Sequence, residues 1–228
     1  MKVVVSVGGS VLAPDLESDR VEAYADVVRT LSDAGHRLGA VVGGGPTARE
    51  YIGAARELGA NEIELDQLGI AVTRLNGRLL TAALDDMAAP APAESYDEGR
   101  AALRRGEVPV LGGIVAAQTT DAVAASFAEY VDADLLVYAT SVPGVYDADP
   151  NEDPDATRFD ELTADELVDI VVGNEMNAGI NAPVDLLAAK IIQRSGIETV
   201  VLDGTDPDRV RQAVQDDDVD GTAVVPGA

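Results

Sequence analysis

Short apolar runs alternate along the chain with longer amphipathic stretches, and glycine clusters close three of the runs. Residues 3–7 are almost all valine, a β-branched pattern that predicts a strand. Gly8-Gly9-Ser10 breaks it, and helical periodicity follows over residues 20–34, stopped by Gly35. The unit recurs: residues 38–42 predict a strand, Gly43-Gly44-Gly45-Pro46 a turn, and residues 47–58 a helix stopped by Gly59. Further helices are predicted over 73–87, 97–105, 120–131, 162–171, 184–194 and 206–214. Further strands are predicted over 108–111, 135–139 and 199–202. The strand ending at Leu111 runs into the third turn, Gly112-Gly113, and the acidic run 216–220 of the tail reads as a solvated turn.

This alternation predicts an α/β fold: a three-layer α/β/α sandwich with a mainly parallel central sheet, one domain over 1–228. In such sheets ligands bind beyond the carboxyl ends of the strands, where the three glycine turns fall.

Charge changes the picture more than composition does. Hydrophobic residues at 46% and charged residues at 25% exclude a disordered chain. No apolar run reaches the ~18 residues of a membrane span, and the absence of cysteine excludes thiolate chemistry and fits a reducing cytoplasm. Asp and Glu total 41 against 16 Lys and Arg, a net charge of −25. Such an anion repels nucleic acid and acidic membranes, so neither is expected as a partner. Only Lys2 and Lys190 are lysines, and lysine depletion beside acid excess predicts adaptation to molar salt, where screening removes the self-repulsion.

With basic side chains this scarce, the glycine turns become the candidate chemistry. Glycine lets backbone approach a ligand closely, and successive N–H groups leading into a helix bind anions without a side chain. Neither the G-x-x-x-x-G-K-[ST] loop nor G-x-G-x-x-G occurs, so the turns point to a phosphate handler of another type. Asp121 at the start of its predicted helix reads equally as an N-cap or as an organiser of a transfer site. The lone His36 reads as a solvated turn residue, Lys190 as a helix-flank lysine, and Tyr96 and Tyr130 as packing residues. Pro143-Gly144 suits the centre of a type II turn. No His/Cys/Asp cluster has metal-site spacing.

Taken in order, the motifs resemble the amino acid kinase family and, within it, the archaeal branch of the uridylate (UMP) kinases. The resemblance spans nearly the whole chain. Its marks are Gly8-Gly9-Ser10; Val42 to Gly45 with Ala48-Arg49; Asp66, Gly69 and Asn76; Gly112-Gly113 with Thr119-Thr120-Asp121-Ala122; Ala139-Thr140; Gly144 to Pro150; Asp153-Pro154; and the run DLLAAKIIQRSG from Asp185.

What the resemblance implies is a cytoplasmic enzyme moving the γ-phosphate of ATP to UMP, usually as a homohexamer, with Mg²⁺ carried by the nucleotide. ATP is then expected at Gly8, Gly9, Ser10, Gly45, Arg49, Thr140, Tyr146 and Asp149. UMP is expected at Gly44, Asp66, Ile114, Val115, Ala116, Ala117, Gln118, Thr119 and Thr120. Arg49 and Asp121 are the expected catalytic residues. The part up to about residue 125 is mainly the acceptor and phosphate side, and the part from 126 mainly the ATP side.

The chain departs from the family pattern at several positions. Ser6 stands where many members have a lysine, Ser141 where a lysine or asparagine is common, Ala117 where a glycine is expected, and Pro143 where an aspartate is usual. Residues 173–182, where relatives often supply a further lysine, offer only Asn174, Asn177 and Asn181. Two alternatives stay open: another kinase of the fold, acting on isopentenyl phosphate, carbamate, acetylglutamate or aspartate, and a non-catalytic store for ATP or oxyanions, which the lost lysines keep in play.

Overall fold

The computed structural model describes residues 1–148, 150, 153, 155–176, 183–216 and 219–227, with the backbone alone at 174–176. Asp149, Pro154, Asn177 and Asn181 lie outside the described residues, as does the side chain of Asn174.

Seven strands form one sheet: β1 (Lys2–Val7), β2 (Arg37–Val42), β3 (Val110–Leu111), β4 (Leu135–Thr140), β5 (Glu161–Thr163), β6 (Glu198–Asp203) and β7 (Gly221–Val225). Their order is β3-β2-β1-β4-β6-β7-β5, parallel except where β6 meets β7. The first three strands form one side of the sheet and the last four the other, and the pairing of β1 with β4 joins the two halves of the chain in one sheet. The connections diverge from β1, toward β2 on one side and β4 on the other, and the carboxyl ends of these two strands frame the switch point where α/β sheets bind ligands.

Period-two alternation sends the side chains to two cores. Val3, Val5, Leu38, Ala40, Val137 and Leu202 face one, beneath α1 (Gly9–Leu12), α2 (Ser18–Asp33), α4 (Glu62–Leu84) and α9 (Asp208–Gln215). Val4, Val41, Leu136, Tyr138 and Val201 face the other, beneath α5 (Tyr96–Arg105), α6 (Thr120–Tyr130), α7 (Ala164–Met176) and α8 (Leu186–Ser195). Apolar residues on both faces are what a covered parallel sheet requires, and burying each Val or Leu stabilises by about 1.5–3 kcal/mol. The three-layer expectation holds. The remaining helix, α3 (Gly45–Glu57), packs on α4.

Five expectations need correction. Helix α4 starts at Glu62, eleven residues before the predicted start, because Asn61 and Glu64 form a reciprocal capping box. Residues 162 and 163, predicted as the start of a helix, lie in strand β5, and the tail holds β7, antiparallel to β6. Gly144 has φ 154°, away from the value near +80° of a type II turn. Glycine is needed there because a Cβ would fall 2.5 Å from Thr222 Oγ1. His36 is half-buried, with Nδ1 enclosed and unbonded among the described residues, and burial pushes its pKa down.

Candidate active site

The first two glycine turns meet backbone to backbone. A Cβ on Gly9 would lie 2.2 Å from Gly45 N, one on Gly43 2.6 Å from Gly9 N, and one on Gly45 2.4 Å from Gly9 C. Gly45 also has φ +61°, a left-handed conformation costly to side-chain-bearing residues. Only glycine fits all three positions. Hydrogen bonds from Gly8 N to Ala139 O (3.0 Å) and from Gly43 N to Val7 O (2.9 Å) tie both loops to strand ends. From the other side, buried Asn76 on α4 donates to Gly43 O (2.9 Å) and Gly44 O (3.2 Å). Asn76 was legible only as a family mark; its structural task is to hold the second loop.

The third turn joins the same wall. Thr73 Oγ1 accepts from Gly113 N (2.7 Å) and donates to Ile70 O (2.7 Å), clamping the turn onto α4. Asp66, one turn before Gly69 on that helix, accepts from Ala117 N (2.7 Å). Ala117 has φ +65°, so the position where the family pattern has glycine keeps its left-handed backbone at a cost of about 1–2 kcal/mol.

Between these loops lies a cavity of about 490 Å³. Gly44, Gly45 and Arg49 form one wall; Asp66, Gly69 and Thr73 the floor; Ala117, Gln118, Thr119 and Thr120 the far side. Eight of the expected site residues thus share one wall system. Arg49, exposed on α3, forms no ion pair among the described residues, although the chain is rich in carboxylates. Asp66 has spent one hydrogen bond on the loop, and a carboxylate offers about four lone-pair sites, so it can still accept from a ligand hydroxyl.

The capping reading of Asp121 fails. Thr119 caps α6, accepting from Ala122 N (3.1 Å), and Asp121 sits in the first turn with its carboxyl uncommitted to any amide among the described residues. Burial first, and the charge of Asp185 second, push Asp121 up to about 7. Asp185 caps α8 through Ala188 N (2.9 Å) and also accepts the Thr119 hydroxyl. One hydroxyl therefore links the starts of two helices. Buried Tyr138 supports them by donating to Asp121 O (2.8 Å). Asp185 opened a family motif in the sequence, and its D-x-x-A cap signal was local; its place beside Asp121 was not.

Other expected residues stand apart from this cavity. Gly8, Gly9 and Ser10 open the neighbouring end of β1. Thr140 ends β4, with its hydroxyl closing a turn to Val142 N (3.0 Å) and Val142 O (2.9 Å). Tyr146 bridges Arg158 across the following loop. Ile114 packs toward the core, Val115 is exposed, and Ala116 does not line the cavity. Asp149 is outside the described residues.

Paired glycine loops at the switch point of a parallel sheet, facing a cavity with one unpaired arginine, define the class of α/β proteins that hold phosphate groups with backbone amides. The chain belongs to the amino acid kinase family, whose sequence model matches residues 1–203. It is 78% identical over 228 residues to a uridylate kinase of Haloarcula marismortui, covering all of both chains. It is 65% identical to a uridylate kinase of Halobacterium salinarum, over 99% of this chain and 94% of that one. The crystal structure of a uridylate kinase from Archaeoglobus fulgidus superposes with a TM-score of 0.90 at 44% identity, covering 99% of this chain and 100% of that one. The helices and the mostly parallel sheet are those of the amino acid kinase fold. Among the described residues no helix is long and apolar enough to cross a membrane.

Proposed function

We propose that this chain transfers the γ-phosphate of ATP to UMP, giving UDP and ADP. The observation that carries the reading is the 490 Å³ cavity in which glycine amides and Arg49 stand opposite Asp66 and the 117–120 loop. The full-length kinship to chains named uridylate kinase supports it, and no comparison favours the other acceptors or a storage role.

A UMP phosphate oxygen attacks the γ-phosphorus, the bond to the β–γ bridging oxygen breaks, and the electron pair leaves with ADP. The attacking oxygen is already ionised at neutral pH, so no general base is required and the work is alignment and charge stabilisation. Arg49 spans donor and acceptor phosphates with its planar fork. The amides of Gly8, Gly9, Ser10 and Gly45 hold the ATP phosphates. Asp66 accepts from the ribose, and Gln118, Thr119 and Thr120 face the uracil edge. Thr140, Tyr146 and Asp149 take the adenosine side. Asp121, bearing a proton near neutral pH, adds no full negative charge beside the transferring group. Mg²⁺ carried by ATP would supply partial neutralisation of the phosphate charge. Residues up to about 125 thus serve mainly the acceptor and phosphates, and those from 126 mainly ATP, in the cytoplasm.

Self-assembly, a hexamer by resemblance, belongs to the same proposal. Exposed Tyr51, Leu58, Ile63, Leu75 and Leu79 on or next to α3 and α4 offer it an apolar face. A coupled assay in about 2 M KCl with a panel of acceptors tests the activity. UMP is expected to be favoured over dUMP, because a site built around a substrate hydroxyl rejects its absence. Equal kcat/KM for the two removes Asp66 from the ribose site, and turnover of isopentenyl phosphate or carbamate alone would replace the whole reading.

A further inference from the structure

At the opposite end of the sheet, where β1 and β2 begin, four cations gather around one opening. Lys2, Arg37, Arg100 and Arg104, with Tyr130 and Asp132, line a cavity of about 160 Å³. Together they are a quarter of the chain's 16 basic residues, in a protein carrying 41 carboxylates. Elsewhere the arginines are mostly neutralised, eight of them by ion pairs among the described residues. On this wall only Arg100 is, by Asp97 at 2.8 Å. Its guanidinium lies 4.2 Å from the centre of the Tyr130 ring, which fixes the plane of the fork. Lys2 Nζ donates to Val131 O and Arg37 Nη2 to Leu103 O, so each is anchored by one bond with further donors to spare. Arg104 has no hydrogen-bond or ion-pair partner among the described residues.

Two further carboxylates adjoin the opening, and both are engaged: Asp97 by Arg100 and the Tyr130 hydroxyl, Asp134 by the backbone N–H of Lys2. The same signature, an unpaired arginine in an acid-rich chain, marks Arg49 at the glycine loops. Capping of the carbonyl ends of α5 and α6 explains one bond each for Arg37 and Lys2; Arg104, in the last turn of α5, favours that helix end by its charge alone and keeps all its donors free among the described residues.

We infer that this cavity is a second anion site, taking a compact inorganic oxyanion of the phosphate type. At about 30 Å³ per water it has room for roughly five waters, enough for orthophosphate. It is well below the ~300 Å³ at which pockets begin to hold drug-sized ligands, so a whole nucleotide does not fit. A multiply charged oxyanion also answers what chloride cannot, because planar guanidinium forks pair with two oxygens at once.

The test is calorimetric titration of potassium phosphate into the full chain in about 2 M KCl. There the Debye length is below roughly 3 Å, so only direct contacts survive. A saturable component is expected that weakens at least tenfold in Arg104→Gln, and likewise in Lys2→Gln, yet persists in Arg49→Ala. Arg104 is exposed and bonded to nothing that holds the fold, so its variant should remain folded even if Lys2→Gln does not. Absence of saturable binding overturns the site, as does binding that is unaltered in Arg104→Gln. Binding lost only in Arg49→Ala assigns the phosphate to the glycine loops and overturns it equally.

Discussion

At the carboxyl ends of β1 and β2, the site proposed for phosphates is built from backbone: Gly9, Gly43 and Gly45 in close contact, Asn76 holding the carbonyls of Gly43 and Gly44, and a single unpaired arginine among the described residues. At the amino ends of the same two strands it uses side chains, with Lys2 and Arg37 opening the strands and Arg100 and Arg104 closing the cavity between helix ends. Amides carry no net charge, need no counterion and are fixed by the fold, so molar salt weakens them little. Charged side chains are flexible and strongly screened, and they act only at contact distance. A chemical step that depends on alignment within fractions of an ångström belongs with the first kind of site, and a reversible ion site can use the second.

The largest expected effect tests the backbone end. Gly9→Ala puts a Cβ 2.2 Å from Gly45 N, so one loop must move. We expect kcat/KM with UMP to fall at least roughly 100-fold, the scale of an ångström's misplacement. Circular dichroism in high salt reports whether the fold survives. Near-normal turnover would mean that the paired loops do not set the alignment. Arg49→Ala comes next: kcat should drop at least about tenfold with the fold intact, the low end for losing a charged clamp. A loss larger than that of Gly9→Ala would reverse the comparison and give the side chain the leading part.

The smallest effect concerns Asp121. Its pKa is raised from 3.8 to about 7, so the unfolded chain releases this proton near pH 4 and the folded chain keeps it to near 7. The contribution to stability is therefore complete below about pH 4 and is lost as pH rises to about 7. Melting temperatures between pH 5 and 8 are expected to fall less steeply in Asp121→Asn, which keeps the shape and cannot ionise. Identical slopes in the two chains would show that Asp121 is charged throughout and that Asp185 does not burden it.

Strand, turn and helix at the start of the chain were legible because β-branched runs, glycine clusters and helical periodicity are local signals. The missed start of α4 was local too: Asn61 and Glu64 spell a capping box that lay just outside the clearest apolar period. Strands β5 and β7 were not legible. Each is short, and pairing with β6 and with one another, not intrinsic pattern, makes them strands.

The sequence alone determined the alternating α/β order, the glycine-closed strands, the acid excess and the family marks, all of which need only neighbouring residues or composition. Tertiary structure decided which marks meet. It brought Gly9 against Gly45, Asp66 under Ala117, and Asp185 beside Asp121, pairs separated by 36 to 64 positions in the chain. It also placed Lys2 and Arg104 around one opening. Such pairings follow from strand order and from helices packed across a sheet. Their contact energy depends on distance in space, which no local pattern encodes.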